Sequence, residues 1–145
     1  MDYLLKVKHL TTTFRTYEGK VTAVNDVSLN VRPGEVLGLV GESGCGKSVT
    51  SLSIMGLLPR KNSKIETGSI LIGDTELTKL SQRGYSRIRG KDIAMIFQEP
   101  MTSLNPVFTI ENQIREVLQN HDKSLTKKVC HERIISVLKK VGIPG

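Results

Sequence analysis

Tryptophan is absent from this chain of 145 residues, and three Tyr and three Phe make up its whole aromatic content. The two cysteines, Cys45 and Cys130, are far apart and form no CxxC pair. A zinc site or a disulfide framework is therefore not expected, and a reducing compartment fits. No apolar stretch approaches the ~18 residues that a membrane-spanning helix needs. The N-terminus carries Asp2 ahead of Leu4 and Leu5, without a basic run or a long apolar core, so a secretory leader is not indicated. Internal repeats and low-complexity stretches are missing as well. What is present is a spread of aliphatic residues that argues against disorder. The length is enough to bury one core, which makes one domain the starting expectation.

Charge is plentiful but uneven. Lys and Arg number 21 against 14 Asp and Glu, a net of +7. Residues 1–59 hold 6 basic and 5 acidic side chains, a net of +1; residues 60–145 hold 15 and 9, a net of +6. A basic excess is one footprint of nucleic-acid binding. Here the basic residues are scattered, without a long run and with few aromatics to stack bases. A solvated surface facing an anionic membrane leaflet or an acidic partner is the better reading.

Local patterns alternate between strand and helix. Leu4 to Leu10 reads as a strand, and Val27, Leu29 and Val31 alternate with polar residues as in a half-buried strand. Arg32-Pro33-Gly34-Glu35 forms a turn in which Pro presets φ and Gly supplies the positive φ of type II. Val36 to Val40 and Ile93 to Phe97 are short apolar runs, the pattern of strands buried on both faces of a parallel sheet. A helix from Lys47, with Leu52, Met55 and Leu58 on one side, closes at Pro59. Residues 60–67 read as a polar basic loop, Ile70 to Ile72 as a strand, and Leu77 to Arg89 as a mixed segment with a short helix. A turn-rich stretch runs through Asn105-Pro106. Two helices follow, one capped by Thr109 with Glu111 in its first turn. The other runs from about Leu125 to Val141, with Ile134, Val137, Leu138 and Val141 on one face and Gly142 as its stop. Strands alternating with helices predict an α/β fold with a substantially parallel sheet.

One motif carries chemistry. Gly41-Glu42-Ser43-Gly44-Cys45-Gly46-Lys47-Ser48 matches G-x-x-x-x-G-K-[ST], with an apolar strand pattern before it and a helix pattern after it. Its glycines let the backbone wrap so that successive N–H groups converge on one anion. The helix beginning near Lys47 adds its positive end. Lys47 places a cation on the β- and γ-phosphates, and the Ser48 hydroxyl is a hard oxygen ligand suited to Mg²⁺. Val49 continues the site into the helix. A chance match in a chain of this length is about one in two hundred. The dinucleotide fingerprint G-x-G-x-x-G, placed on Gly44 and Gly46, would need Gly where Val49 stands. Cys45 could be read as a nucleophile, but no His lies nearby in sequence to act as its base, so backbone use with an incidental thiol is favoured.

Val21 to Ser48, "VTAVNDVSLNVRPGEVLGLVGESGCGKS", resembles the start of an ABC-transporter ATP-binding subunit. Met95 to Pro106, "MIFQEPMTSLNP", resembles the glutamine loop of that superfamily. Together they are most similar to the oligopeptide/dipeptide importer branch, which includes nickel importers. The 51-residue separation of Lys47 and Gln98 (98 − 47) also suits the family.

The resemblance implies a P-loop NTPase fold of ABC type: a parallel core sheet, an antiparallel β part and the start of a helical subdomain. It implies a division into 1–97, the ATP-binding core, and 98–145, the glutamine loop and the first helices. ATP and Mg²⁺ are the implied cofactors. Gln98 would join Ser48 at the metal or the attacking water and link the nucleotide to the membrane subunits. Tyr17 is the candidate aromatic for stacking on adenine, with Phe14 as the alternative. Transmembrane permease subunits and a second ATP-binding subunit are the implied partners, and the cytoplasmic face of the membrane is the implied location. No nucleic-acid partner is expected.

The family pattern continues with a signature motif, an acidic strand ending in a catalytic Glu, and a switch His. None of these occurs within the 145 residues. Glu42 and Glu99 do not match the general base, and His9, His121 and His131 do not match the switch. The chain thus resembles the first half of such a subunit and lacks the group that would activate water. The two apolar runs would then have unpaired edges, which predicts low stability and self-association. A clean monomer in equilibrium sedimentation that also unfolds cooperatively at high denaturant would contradict this. A soluble ABC-type ATPase in nucleic-acid work is the competing reading, against which "FQEPMTSLNP" speaks. A nucleotide-binding product without turnover is another.

Overall fold

The computed structural model describes residues 3–99 and 103–143. Pro100 to Thr102, inside the glutamine-loop motif, lie outside the described residues, as do Asp2 of the N-terminal reading and the final Pro144-Gly145. The chain packs as two compact units, 1–89 and 90–145.

The first unit is built on an antiparallel sheet of four strands, β1 (Leu5–Thr16), β2 (Gly19–Val31), β3 (Ser63–Ile72) and β4 (Thr75–Glu76), in the order β2-β1-β3-β4. Helix α1 (Lys47–Met55) packs on it, and a 3₁₀ turn (Leu77–Lys79) and α2 (Gln82–Ile88) follow β4. The central strand β1 supplies Val7, Leu10 and Thr12 to the interior, joined by Val24, Met55, Ile70, Leu77 and Tyr85. A buried hydroxyl pair, Thr12 Oγ1 and Ser53 Oγ at 3.2 Å, ties the sheet to α1.

β1 and β2 are irregular where they pass His9 and Asp26. Both residues have positive φ, 50° and 51°. Side chains supply what the interrupted ladder loses: Ser28 Oγ accepts from His9 N at 2.9 Å, and Thr11 Oγ1 accepts from Asp26 N at 3.1 Å. The His9 ring also meets the Asp26 carboxylate at 2.7 Å. The bulges turn β1 sharply without leaving these backbone donors unpaired.

Helix α1 ends three residues early. The expected stop was Pro59, yet Gly56 adopts φ 61° and its N–H returns to the Leu52 and Ser53 carbonyls. Its buried side chains are Thr50, Ser53 and Met55. Leu52 and Leu58 are half-buried rather than forming the inner face. The Arg89 guanidinium completes this end of the helix, with Nε donating to Met55 O at 2.8 Å and Nη2 to Gly56 O at 2.7 Å. The same guanidinium lies 4.8 Å above the buried Tyr85 ring.

Residues 60–67 are not all loop. β3 begins at Ser63 and pairs with β1 through Thr12 to Phe14. Lys64 and Glu66 alternate with Ile65, and their polarity hides a strand whose one side is wet. Glu66 holds three donors: Thr13 Oγ1 at 3.0 Å, Lys20 Nζ at 2.9 Å and Lys64 Nζ at 2.8 Å. The hydrogen bonds from Lys64 and Lys20, then Thr13, draw its pKa from 4.5 down to about 2. A depressed carboxylate pKa stabilises the fold above the unfolded value and loses that contribution as pH falls through the folded one. Glu66→Gln is therefore expected to flatten the fall of melting temperature between pH 4.5 and 2. An unchanged acid limb in a thermal-melt series would refute this role.

The parallel core strands are where expectation and structure part. Pro33-Gly34 turns as expected, with Gly34 at φ 75° and Glu35 N bonded to Arg32 O at 3.1 Å. The Val36 to Val40 run is nevertheless in no strand, with Val36 95% and Val40 94% exposed. Ile93 to Phe97 has one bridge residue, Ile93, and Ile96 is 92% exposed. Apolar runs of this kind become strands only when neighbours pair both edges. Among the described residues none does so.

The second unit carries α3 (Ile110–His121) and α4 (Lys127–Lys140). Thr109 caps α3 by accepting from Asn112 N, and Glu111 sits in its first turn, as expected. The turn before it is held by Gln113, whose Nε2 donates to Asn105 O at 2.9 Å and Phe108 O at 3.0 Å. Helix α4 stops at Gly142 (φ 81°), with Gly142 N on Lys139 O and Ile143 N on Leu138 O, the paired bonds of a Schellman end. Its buried residues are Cys130 and Ile134; Val137 and Val141 are exposed. Glu111, at the start of α3, bonds Arg115 and already meets His131 at 3.2 Å, in the first half of α4. No residues of α3 remain to cover the last turns of α4.

Candidate functional site: the phosphate loop

Gly41 to Val49 form the loop that follows Val40 and the first turn of α1. Ser43-Gly44 forms its turn, with Cys45 N bonded to Glu42 O at 3.3 Å. Gly46 (φ 94°) is the N-cap of α1 and offers no side-chain cap. A Cβ there would come within 2.4 Å of Ala23 O, so only glycine allows the loop to seat against β2. A Cβ at Gly41 would similarly meet Cys45 Sγ at 2.7 Å.

Lys47 folds back over the loop. Its ammonium donates to Gly41 O at 2.7 Å and Glu42 O at 2.6 Å, and lies 3.3 Å from Cys45 Sγ. The cation is thus held against the loop backbone by neutral acceptors and balanced by no carboxylate among the described residues. Ser48 is exposed and Val49 half-buried in the first turn of α1. Free helix N–H groups, a cation inside a glycine-bounded loop and an exposed hydroxyl make a donor set that fits a phosphate group and an accompanying hard cation.

Tyr17 occupies the two-residue tip of the β1–β2 hairpin, fully exposed and without a ring contact among the described residues. Phe14, on β1, is half-buried. Gln98 is exposed at a bend within the second unit, and Cys45 is an exposed free thiol. Among the described residues no cluster of three or more His, Cys, Asp or Glu could hold a metal by itself. The contact that sequence reasoning missed is the one between Gly46 and Ala23 O, because a backbone carbonyl leaves no residue-type signal.

The loop defines the chain as a phosphate-loop protein of α/β class. Comparison with known proteins takes this one step further. The ABC transporter family model matches residues 24–145, and the chain belongs to that family. It is 49% identical over 144 residues to the dipeptide transport ATP-binding protein DppD of Bacillus subtilis (strain 168), covering 99% of this chain and 43% of that protein. The oligopeptide transport ATP-binding protein AppD of the same strain is 49% identical over 142 residues, covering 98% and 43%. Among solved structures, a dimeric post-hydrolysis ATP-binding cassette bound to ADP and Pi is similar with a TM-score of 0.74 and 26% identity, over 93% of this chain and 56% of that one. The structure of cbiO1 from Clostridium perfringens, part of the cbiONQ ABC transporter complex, is similar with a TM-score of 0.69 and 25% identity, over 99% and 52%. The chain spans less than half the length of these two transport proteins. Among the described residues no helix is long and apolar enough to cross a membrane.

Proposed function

We propose that this chain is the nucleotide-holding part of an ATP-binding subunit that energises import of dipeptides or oligopeptides through an ABC transporter. The observation that carries the reading is the Lys47 ammonium held inside the Gly41–Gly46 loop at the uncapped start of α1. ATP is the ligand, with its phosphates on the loop backbone and Lys47. Mg²⁺ is the accompanying ion, taken by Ser48 and Gln98, and Tyr17 is the adenine platform. Residues 1–97 act as the nucleotide core, and 98–145 lead toward transmembrane permease subunits and a second ATP-binding subunit at the cytoplasmic face of the membrane. The similarity to dipeptide and oligopeptide transport ATP-binding proteins supports the substrate class.

Titration with a fluorescent ATP analogue tests the site. Binding is expected to strengthen with Mg²⁺, while hydrolysis by these 145 residues stays negligible because they contain no match to the family's general base. Affinity indifferent to Mg²⁺ would remove Ser48 and Gln98 from the metal role. Disruption of the gene is expected to abolish uptake of a radiolabelled peptide, and unchanged uptake would sink the transport reading.

A further inference from the structure

The first unit also carries a concavity that shares no lining residue with the phosphate loop. It is a groove of about 530 Å³ whose walls include Arg15, Lys20, Arg60, Lys61, Lys64 and Glu66. Five cations and one carboxylate give it a formal charge of +4 (5 − 1). None of its lining residues belongs to Gly41–Ser48.

The single carboxylate does not neutralise this charge; it arranges it. Glu66 Oε1 receives Thr13 and Lys20, and Oε2 receives Lys64. Each of these ammonium groups has three N–H donors and spends one on Glu66. Arg60 spends Nε and Nη2 on the Gln82 side-chain oxygen, at 2.9 and 2.7 Å once that amide is oriented to satisfy its neighbours. Arg15 and Lys61 have no carboxylate partner among the described residues.

The frame that carries these cations is hydrogen-bonded throughout. Arg15 N donates to Asn62 O at 2.7 Å, and Ser63 returns both its N–H and its hydroxyl to Pro59 O, at 3.0 and 2.6 Å. Lys64 and Glu66 lie on β3, and Lys20 lies on β2. Like charges gathered on a fixed frame repel one another, and a multivalent anion relieves that repulsion. Donors converging from three strands and a loop suit the tetrahedral oxygens of a phosphate group better than a planar carboxylate. The volume exceeds that of one phosphate and falls in the range of small-ligand sites.

We propose that this groove is a second anion site, which takes a small ligand bearing one or more phosphate groups on Arg15, Lys20, Lys61 and Lys64. It goes beyond the nucleotide reading of the phosphate loop and does not depend on it.

The test uses the full chain carrying Lys47→Ala, so that the phosphate loop is not the reporter, and pyrophosphate as the probe in titration calorimetry. Pyrophosphate is expected to bind this chain, more weakly as salt rises. Adding Arg15→Ala and Lys61→Ala is expected to lower the affinity at least tenfold. Lys61→Glu alone, at an exposed position whose side chain makes no bond among the described residues, is expected to do the same and guards against a folding defect. Co-sedimentation with phosphatidylcholine vesicles, with and without phosphatidic acid, separates the sources. Retention on the acidic vesicles that depends on Arg15 and Lys61 assigns a lipid headgroup; pyrophosphate binding without retention assigns a soluble phosphate compound. Either supports the site. Absence of pyrophosphate binding, or affinity unchanged by the groove substitutions, overturns it.

Discussion

Lys47→Ala should lower ATP affinity at least a hundredfold, about 2.7 kcal/mol, while the melting temperature stays nearly constant. The two halves of this result have separate causes. The ammonium is the cation of the loop, held by Gly41 O at 2.7 Å and Glu42 O at 2.6 Å. A nucleotide polyphosphate would exchange those neutral acceptors for charged ones, and charge-assisted hydrogen bonds are roughly twice as strong as neutral ones. Stability barely depends on the same contacts, because both carbonyls are exposed and water replaces the lysine. Unchanged nucleotide affinity in the variant would falsify the site assignment. A large loss of melting temperature would instead make Lys47 a structural clasp of the loop.

Gly56→Ala is expected to destabilise the first unit by about 3 kcal/mol, near the upper end of single substitutions. Two effects add. Gly56 has φ 61°, a conformation that costs an L-residue ~1 kcal/mol or more. A Cβ there would also stand 2.4 Å from the Tyr85 ring, and that ring is buried, with the Arg89 guanidinium 4.8 Å from its centre. Relief requires moving Tyr85, which disturbs the Arg89 bonds to the Met55 and Gly56 carbonyls. Denaturant melts with Tyr85→Leu as a second background separate the terms. A smaller penalty in that background is expected, and an equal penalty would leave backbone strain as the whole effect. Since α1 begins at the phosphate loop and ends at Gly56, loosening its end should also weaken nucleotide binding modestly.

The phosphate loop was legible because its chemistry is local. Three glycines, a lysine and a serine within eight residues, between an apolar run and a helical pattern, mark a glycine-bounded turn at the start of a helix, and the structure has that turn. The caps of α3 and α4 were legible for the same reason: Thr109 and Gly142 act on backbone groups within four residues. The strand from Ser63 was not. Its polar residues are explained by Thr13 and Lys20, which reach Glu66 from distant positions in the chain.

The apolar runs at Val36–Val40 and Ile93–Phe97 show the opposite failure. Their composition states only that burial on two faces would suit them; whether they pair is decided by strands elsewhere. In this chain they remain outside the sheet, and the sheet that does form is antiparallel.

By itself, then, the sequence determined the phosphate-loop motif, the start of α3 and the stop of α4, and the family, all written in residues close together or in fixed order. Only the tertiary structure decided that Gly46 must seat on Ala23 O, that Arg89 closes α1 over Tyr85, and that five scattered basic residues share one groove around Glu66. Those depend on contacts between segments distant in the chain, and hydrophobic or charge patterning along the chain carries no record of which segment meets which.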